Sequence, residues 1–215
     1  MDFLSQSLGM FHKGGPVMYL LLLCSLAVVT IAVERFNYYR SMIINPHSFI
    51  NRLQPLLERQ RIAEAIQLCE QTPAVIGQLA AKGLQTYQHG GNIENSLTTT
   101  ASLAAARMRE YLNYLSTIVT LAPLFGLLGT VIGMIGSFSI FNIQSGQPMA
   151  ITGGVGEALV ATAAGLGVAA MALIVHSYFS HRLDSLITDI EQVSGLIINS
   201  LSQKRALRRE NHEIA

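Results

Sequence analysis

The sequence has little charge and few of the residues on which most metal and redox sites depend. Tryptophan is absent, there are two cysteines, and Asp, Glu, Lys and Arg make up 13% of the 215 residues. A soluble domain of ordinary composition carries about 25% charged residues. Cys24 lies in an apolar run and Cys69 in a polar one, so we expect no disulfide between them. Two separate cysteines are also too few for a metal site.

These absences argue against an enzymatic function and against nucleic-acid binding. The sequence has no metal-ligand, nucleophile or phosphate-loop pattern. We therefore expect no enzyme, no cofactor and no bound metal. The formal net charge of +1 argues against a nucleic-acid partner. The short basic cluster at residues 204–209 is typical of a solvated cytoplasmic tail, with contact to anionic lipid as the alternative.

Long apolar runs are what the sequence does contain. Residues 17–33 form a run long enough for one membrane-spanning helix, which needs about 17 to 25 residues. A cleaved signal peptide is the alternative, but it requires a basic start and a small-residue cleavage site, and this run ends in Glu-Arg-Phe at residues 34–36. Residues 111–156 contain no Asp, Glu, Lys or Arg. A polar, turn-prone patch at 142–149 divides the later apolar sequence into a second and a third span.

The distribution of basic residues predicts the orientation of these spans. Lys and Arg are concentrated between the first and second spans and after the third, so the positive-inside rule places both segments in the cytoplasm. We therefore predict an all-α membrane protein with three transmembrane helices, two of them extended far into the cytoplasm, and a small helical cytoplasmic domain. The predicted order is a periplasmic interfacial segment (1–15), transmembrane helix 1 (16–34), a cytoplasmic helical domain (35–110), transmembrane helix 2 (111–141), a periplasmic loop (142–149), transmembrane helix 3 (150–178) and a cytoplasmic helical tail (179–215).

Two predicted helices continue from the membrane into the cytoplasm. The chain contains no Gly or Pro from about Asn95 until Pro123, which predicts one helix that runs into the second span. After the third span, apolar residues recur at helical spacing. This stripe comprises Leu183, Leu186, Ile187, Ile190 and Val193. Such a stripe requires a partner, either the cytoplasmic domain or another subunit.

Glu157 is the one ionisable carboxylate in the third span. A charged side chain near the middle of a membrane costs at least about 2.5 kcal/mol. Neither the second nor the third span contains a Lys or Arg that would serve as its counter-ion. Burial without a partner favours the neutral acid, so Glu157 is predicted to gain and lose a proton within the membrane. The structural alternative is a carboxyl group that stays protonated and bonds a backbone carbonyl or a hydroxyl.

Small residues surround this position and recur along the second span. Ala161 and Gly165 follow Glu157 at helical spacing and would let a second helix or a file of water come close. Four glycines of the second span share one face: Gly126, Gly129, Gly133 and Gly136. Close helix packing is the first interpretation, a flexible gate is the alternative, and Pro123 is expected to kink the helix.

Two motifs carry a resemblance to a known family. Residues 121–134, LAPLFGLLGTVIGM, and residues 156–166, GEALVATAAGL, resemble the MotA/TolQ/ExbB proton-channel family. Residues 14–20, GGPVMYL, and the Glu-Arg-Phe exit at residues 34–36 are most similar to the ExbB branch. The TolQ branch shares the three-span topology and the same motor core, so it is the alternative.

The resemblance implies a proton-driven machine of the bacterial inner membrane. Five copies would surround a dimer of an ExbD-like single-span partner, and proton flow would drive motion that a TonB-like transducer passes to outer-membrane import. Glu157, Thr130 and Thr162 would form the proton pathway. A TolQ-like subunit would energise the Tol-Pal envelope system instead. A membrane scaffold with a structural Glu157 and a small-solute transporter are further alternatives, although the sequence shows no internal repeat of the kind that transporters carry.

Overall fold

The computed structural model describes residues 15–42, 44–143 and 148–213, with only the backbone described at 41, 139–143, 148–152 and 202–213. Residues 1–14 of the predicted interfacial segment and 144–147 of the predicted loop lie outside the described residues. Six helices occupy the described ranges, with no strand among them. They are α1 (Val17–Met42), α2 (Pro46–Glu58), α3 (Ile62–Glu70), α4 (Val75–Gln88), α5 (Ile93–Ile143) and α6 (Pro148–Glu213).

Three of these helices are long and apolar enough to cross a membrane. The qualifying stretches are Val17–Arg40 in α1, Ile93–Phe138 in α5 and Gly153–Leu201 in α6. The prediction of an all-α membrane protein with three spans is therefore confirmed. Helix α5 has 51 residues and α6 has 66, whereas about 20 are enough to cross the hydrocarbon core. Each of the two helices thus continues without a break well beyond its apolar part, as predicted.

The chain divides into two compact units, of which the first holds the apolar segments. This unit comprises Met1–Arg35 and Tyr111–Phe179. Its small core brings together residues of α1, α5 and α6: Val17, Met18, Leu21, Ala122, Val168 and Ala169. Many large apolar side chains point away from that core; Leu23 is 63% exposed and Ile174 is 70% exposed. Surfaces of this kind are stable only against lipid or another protein.

At the opposite end of this unit a buried arginine fixes the end of the first apolar run. The Arg35 Nε donates a hydrogen bond of 2.7 Å to the Glu34 carboxylate. The Arg35 guanidinium lies 4.2 Å from the ring centroid of Tyr111 on α5, a cation–π contact. Because a buried charge is unfavourable unless it is paired, these two contacts explain why Arg35 is tolerated at 3% exposure.

The second unit comprises Phe36–Glu110 and Ser180–Ala215 and has its own core. Asn45 caps the start of α2, and its side-chain oxygen accepts from the backbone N–H of His47 at 3.1 Å and of Ser48 at 3.4 Å. Helix α4 ends before Gly90, whose φ of 77° stops the helix in the left-handed region. Gly83 of α4 admits the Leu97 side chain of α5, because an added Cβ would lie 2.5 Å from a Leu97 methyl carbon.

The predicted apolar stripe of the tail is buried inside this second unit. Leu183, Leu186, Ile190 and Val193 are each at most 4% exposed, and Ile187 is partly exposed. The chain itself therefore covers the stripe.

Cys69 is also fully buried. Burial, assisted by the neighbouring Glu70 charge, raises the pKa of its thiol to about 12, so the thiol stays protonated and unreactive.

Candidate functional site

Small residues form the contact between α5 and α6 in the apolar unit. Ala158 is 3% exposed and Ala161 is fully buried. A Cβ added at Gly129 would lie 2.5 Å from the Ala161 Cβ, and one added at Gly165 would lie 2.6 Å from the Ala122 carbonyl oxygen. The two backbones therefore approach as closely as glycine-rich membrane helices do.

The same contacts show that the two helices run antiparallel. Gly126 meets Ala161 and Thr162, whereas Gly133, two turns later on α5, meets Ala158, which lies earlier on α6. Residue numbers rise along one helix as they fall along the other. Three of the four predicted packing glycines, together with Ala161 and Gly165, thus lie in a single contact.

Gly136 and Pro123 behave differently from the other predicted packing residues. A Cβ added at Gly136 would meet nothing within 4 Å. Among the described residues, Gly136 therefore takes no part in the contact between α5 and α6. Pro123 lies inside α5, which continues for another 20 residues to Ile143. The helix tolerates the missing backbone N–H there without ending.

Ser137 and Gly154 extend the contact and were not predicted as part of it. Ser137 is 3% exposed, and its hydroxyl donates to the Gly133 carbonyl at 2.8 Å. A Cβ added at Gly154 would clash with the Ser137 hydroxyl oxygen. Gly154, Ala158, Ala161 and Gly165 follow one another at spacings of 4, 3 and 4, which is the small-residue signal that predicts this face of α6.

The two predicted threonines make different hydrogen bonds. The Thr162 hydroxyl donates across the contact to the Gly126 carbonyl oxygen at 3.1 Å. The Thr130 hydroxyl donates to the Leu127 carbonyl oxygen of its own helix at 2.6 Å. Thr162 therefore joins α6 to α5 directly, whereas Thr130 satisfies its polar group locally, as a threonine within a helix commonly does.

Glu157 lies outside the packed contact. Its side chain is exposed on the surface of the single chain, and within the described residues its carboxylate forms no hydrogen bond or ion pair. Thr162 lies five positions after Glu157, which corresponds to about 140° around the helix. The contact residues Ala158, Ala161 and Gly165 lie between these two directions. Glu157 and Thr162 therefore occupy opposite edges of the packed face.

The structure consequently does not bring the three predicted pathway residues together within one chain. No described contact joins the Glu157 carboxylate to the hydroxyl of Thr130 or Thr162. The chemical arrangement is an outward-facing carboxyl group beside a close-packed helix pair, on a helix that carries no other charge between residues 148 and 181. Such a group can exchange a proton with whatever covers it. Among the described residues, no group of three or more His, Cys, Asp or Glu side chains is placed to hold a metal ion.

Comparison with known proteins relates this site to a family. A family model for the MotA/TolQ/ExbB proton channel family matches residues 71–192. The matched stretch includes the whole described contact between α5 and α6, together with Glu157, Thr130 and Thr162. None of the curated proteins compared with the chain matches it.

Proposed function

Because this chain belongs to the MotA/TolQ/ExbB proton channel family, we propose that it is the channel subunit of an ExbB–ExbD-type complex in which Glu157 carries the proton. The family match spans residues 71–192, more than half of the 215 residues. One observation carries the assignment to Glu157. It is the only charged residue between positions 111 and 181, and it stands exposed and unpaired on the described surface of the single chain.

The exposure of Glu157 supports an assembly rather than a lone chain. A carboxylate that faced lipid would cost at least about 2.5 kcal/mol, and the apolar helices provide no counter-ion. Another protein surface or a water path must therefore meet it. We propose that further copies of this chain, five in all, surround an ExbD-like dimer whose single span brings its own membrane carboxylate beside Glu157.

Thr130 and Thr162 join this pathway as hydroxyls that accept hydrogen bonds. Each donates its own proton to a carbonyl oxygen, Thr130 to Leu127 and Thr162 to Gly126. A hydroxyl oxygen keeps lone pairs that accept from water or from a protonated carboxyl group. Because Thr162 and Glu157 lie at opposite edges of the helix contact, the proposed path passes through the assembled ring and not through one chain.

The membrane potential supplies the energy for the mechanical work that we propose for this complex. Moving one charge through 100 mV releases about 2.3 kcal/mol, so a few protons per step suffice to drive motion of the enclosed helices. We propose that a TonB-like transducer carries this motion to outer-membrane import, with the protein in the bacterial inner membrane and its N-terminus in the periplasm. The Gly-Gly-Pro-Val-Met stretch and the Glu34-Arg35 pair at the end of the first apolar run favour this over the TolQ-like alternative.

Complementation in cells tests the proposal. The chain and its single-span partner are produced in cells that lack their own ExbB and ExbD, and import through TonB-dependent receptors is measured. Wild type is expected to restore import, and Glu157→Gln to abolish it with the complex present at the same level. Glu191→Gln, an exposed carboxylate on the same helix, is the matched control and is expected to retain import.

Two results would change the assignment. If Glu157→Gln restored import as well as wild type, Glu157 would be structural and the scaffold interpretation would hold. If the wild-type chain restored the outer-membrane barrier of cells lacking TolQ, but not import in cells lacking ExbB, the subunit would belong to the Tol-Pal system.

A further inference from the structure

The second compact unit contains an open cavity that the channel function does not use. Its volume is about 370 Å³, within the range of small-ligand sites. Ile44, Asn45 and Pro46 line one side, where the chain leaves α1 and begins α2. A stretch of α6 lines the other side. Its lining residues are Arg182, Ser185, Leu186 and Asp189.

Two opposite charges stand on the same wall of this cavity. Arg182 and Asp189 are seven residues apart on α6, which is close to two full turns and about 10 Å along the axis. The two residues therefore lie on one face of the helix, but their separation along the helix axis does not favour a direct salt bridge between them. Neither side chain forms an ion pair within the part of the chain that the structure describes. The cavity thus presents a free cation and a free anion with apolar Leu186 between them.

The order of the two charges relative to the apolar segment is informative. Arg182 is the first charged residue on α6 after Glu157, and it follows the aromatic pair Tyr178 and Phe179. Tyr178 is 59% exposed, as aromatic residues at a membrane interface are. Asp189 lies two turns farther from the apolar segment. Along α6 the cation therefore lies nearer to the apolar segment than the anion does.

We propose that this cavity binds a phosphoethanolamine group, with the phosphate at Arg182 and the ammonium at Asp189. In a phosphatidylethanolamine lipid the phosphate lies next to the acyl chains and the ammonium lies farther out, which is the order of the two side chains. Arginine forms paired hydrogen bonds with phosphate oxygens, and a carboxylate accepts from an ammonium N–H. An anionic glycerol headgroup offers no cation to Asp189, and a trimethylated choline offers it no N–H.

Native mass spectrometry of the purified complex with its partner subunit tests the proposal. Dioleoyl phosphatidylethanolamine, phosphatidylglycerol and phosphatidylcholine are added separately at equal concentrations. We expect phosphatidylethanolamine to bind about tenfold more tightly than either other lipid, since it alone makes both charge-assisted bonds. We expect Arg182→Gln and Asp189→Asn each to remove most of that preference.

Matched controls lie on the same chain. Asp184 is an exposed carboxylate on α6 and Arg107 an exposed arginine on α5, and neither lines the cavity. The Asp184→Asn and Arg107→Gln variants are therefore expected to keep the wild-type preference for phosphatidylethanolamine. Asp189→Asn keeps the size of the side chain. If the Arg182→Gln variant does not fold, the lipid preference of Asp189→Asn alone tests the proposal. Equal or tighter binding of phosphatidylglycerol, or an Asp189→Asn variant that keeps the full preference, would overturn the proposal.

A second arm identifies the source of the group. Free O-phosphoethanolamine is added to the complex already loaded with phosphatidylethanolamine. Displacement of the lipid at millimolar concentration would show that the headgroup alone is recognised, so that a soluble source suffices. No displacement, with the lipid preference intact, would assign the site to the membrane lipid.

Discussion

Two residues at opposite edges of one helix contact have different relations to the rest of the chain. Thr162 is tied to α5 by a hydrogen bond to the Gly126 carbonyl at 3.1 Å, whereas Glu157 faces outward and has no partner among the described residues. Substitutions at the two positions should therefore have different consequences. Loss of the Thr162 hydroxyl affects the contact between the helices, and loss of the Glu157 charge affects what the chain does with its surroundings.

Thr162→Val tests whether the hydrogen bond from Thr162 to the Gly126 carbonyl stabilises the contact between α5 and α6. Valine has nearly the same shape but no hydroxyl, so the free energy of unfolding is expected to fall by about 1 kcal/mol, the size of an interhelical hydrogen bond in a membrane. Thr162→Ser keeps the donor and should recover most of that loss. Denaturant unfolding in detergent measures both. If the valine variant were as stable as wild type, the hydrogen bond from Thr162 to the Gly126 carbonyl would not hold the two helices together.

The contact between α5 and α6 depends on the absence of side chains at a few positions. A Cβ at Gly165 would lie 2.6 Å from the Ala122 carbonyl oxygen and 2.9 Å from the Gly126 Cα. These neighbours are backbone atoms, so they cannot move aside without shifting the helix. Gly167, two residues later on the same helix, faces open space. One helix therefore contains a glycine required by packing and a glycine that packing does not require.

Gly165→Ala and Gly167→Ala form a matched pair. Gly165→Ala is expected to destabilise the protein by about 1–3 kcal/mol, because the overpacked helices must separate. Gly167→Ala is expected to leave stability unchanged or to raise it by up to about 1 kcal/mol, because alanine favours the helix. Thermal unfolding of the two variants in the same detergent measures the difference. A Gly165→Ala variant as stable as Gly167→Ala would show that this close contact is absent in the folded protein.

The sequence predicts this architecture more fully than it predicts the site. The uncharged stretch 111–156 and the absence of Gly and Pro from Asn95 to Pro123 were enough to predict α5 as one helix running into the second span. The contact of Ser137 with Gly154 was not predicted, because it depends on the register between two helices, which neither helix determines alone. The outward direction of Glu157 was missed for the same reason, since it depends on which face of α6 packs against α5.

At the scale of the whole molecule, the distribution of charge predicts a single orientation. The uncharged stretch 111–156 separates the basic residues that precede it from those that follow α6's apolar part. The positive-inside rule then places the start of α1 in the periplasm and the segment that precedes the second span in the cytoplasm. Pro16, just before α1, and Thr99, in the segment before the second span, are exposed and can be labelled.

Cysteine labelling in intact cells tests this orientation. In a background without Cys24 and Cys69, Pro16→Cys is expected to react with a membrane-impermeant maleimide from outside. Thr99→Cys is expected to react only after the inner membrane is permeabilised. The reverse pattern of labelling would invert the proposed topology.

Proton flux into liposomes tests the central claim, that Glu157 carries the proton. The complex with its single-span partner is reconstituted, a membrane potential is imposed, and internal pH is followed for wild type, Glu157→Gln and the matched control Glu191→Gln. We expect flux in wild type and in Glu191→Gln, and a fall of at least about tenfold in Glu157→Gln at unchanged assembly mass, because the amide cannot release a proton. Equal flux from Glu157→Gln and wild type would contradict the claim and leave Glu157 with a structural role.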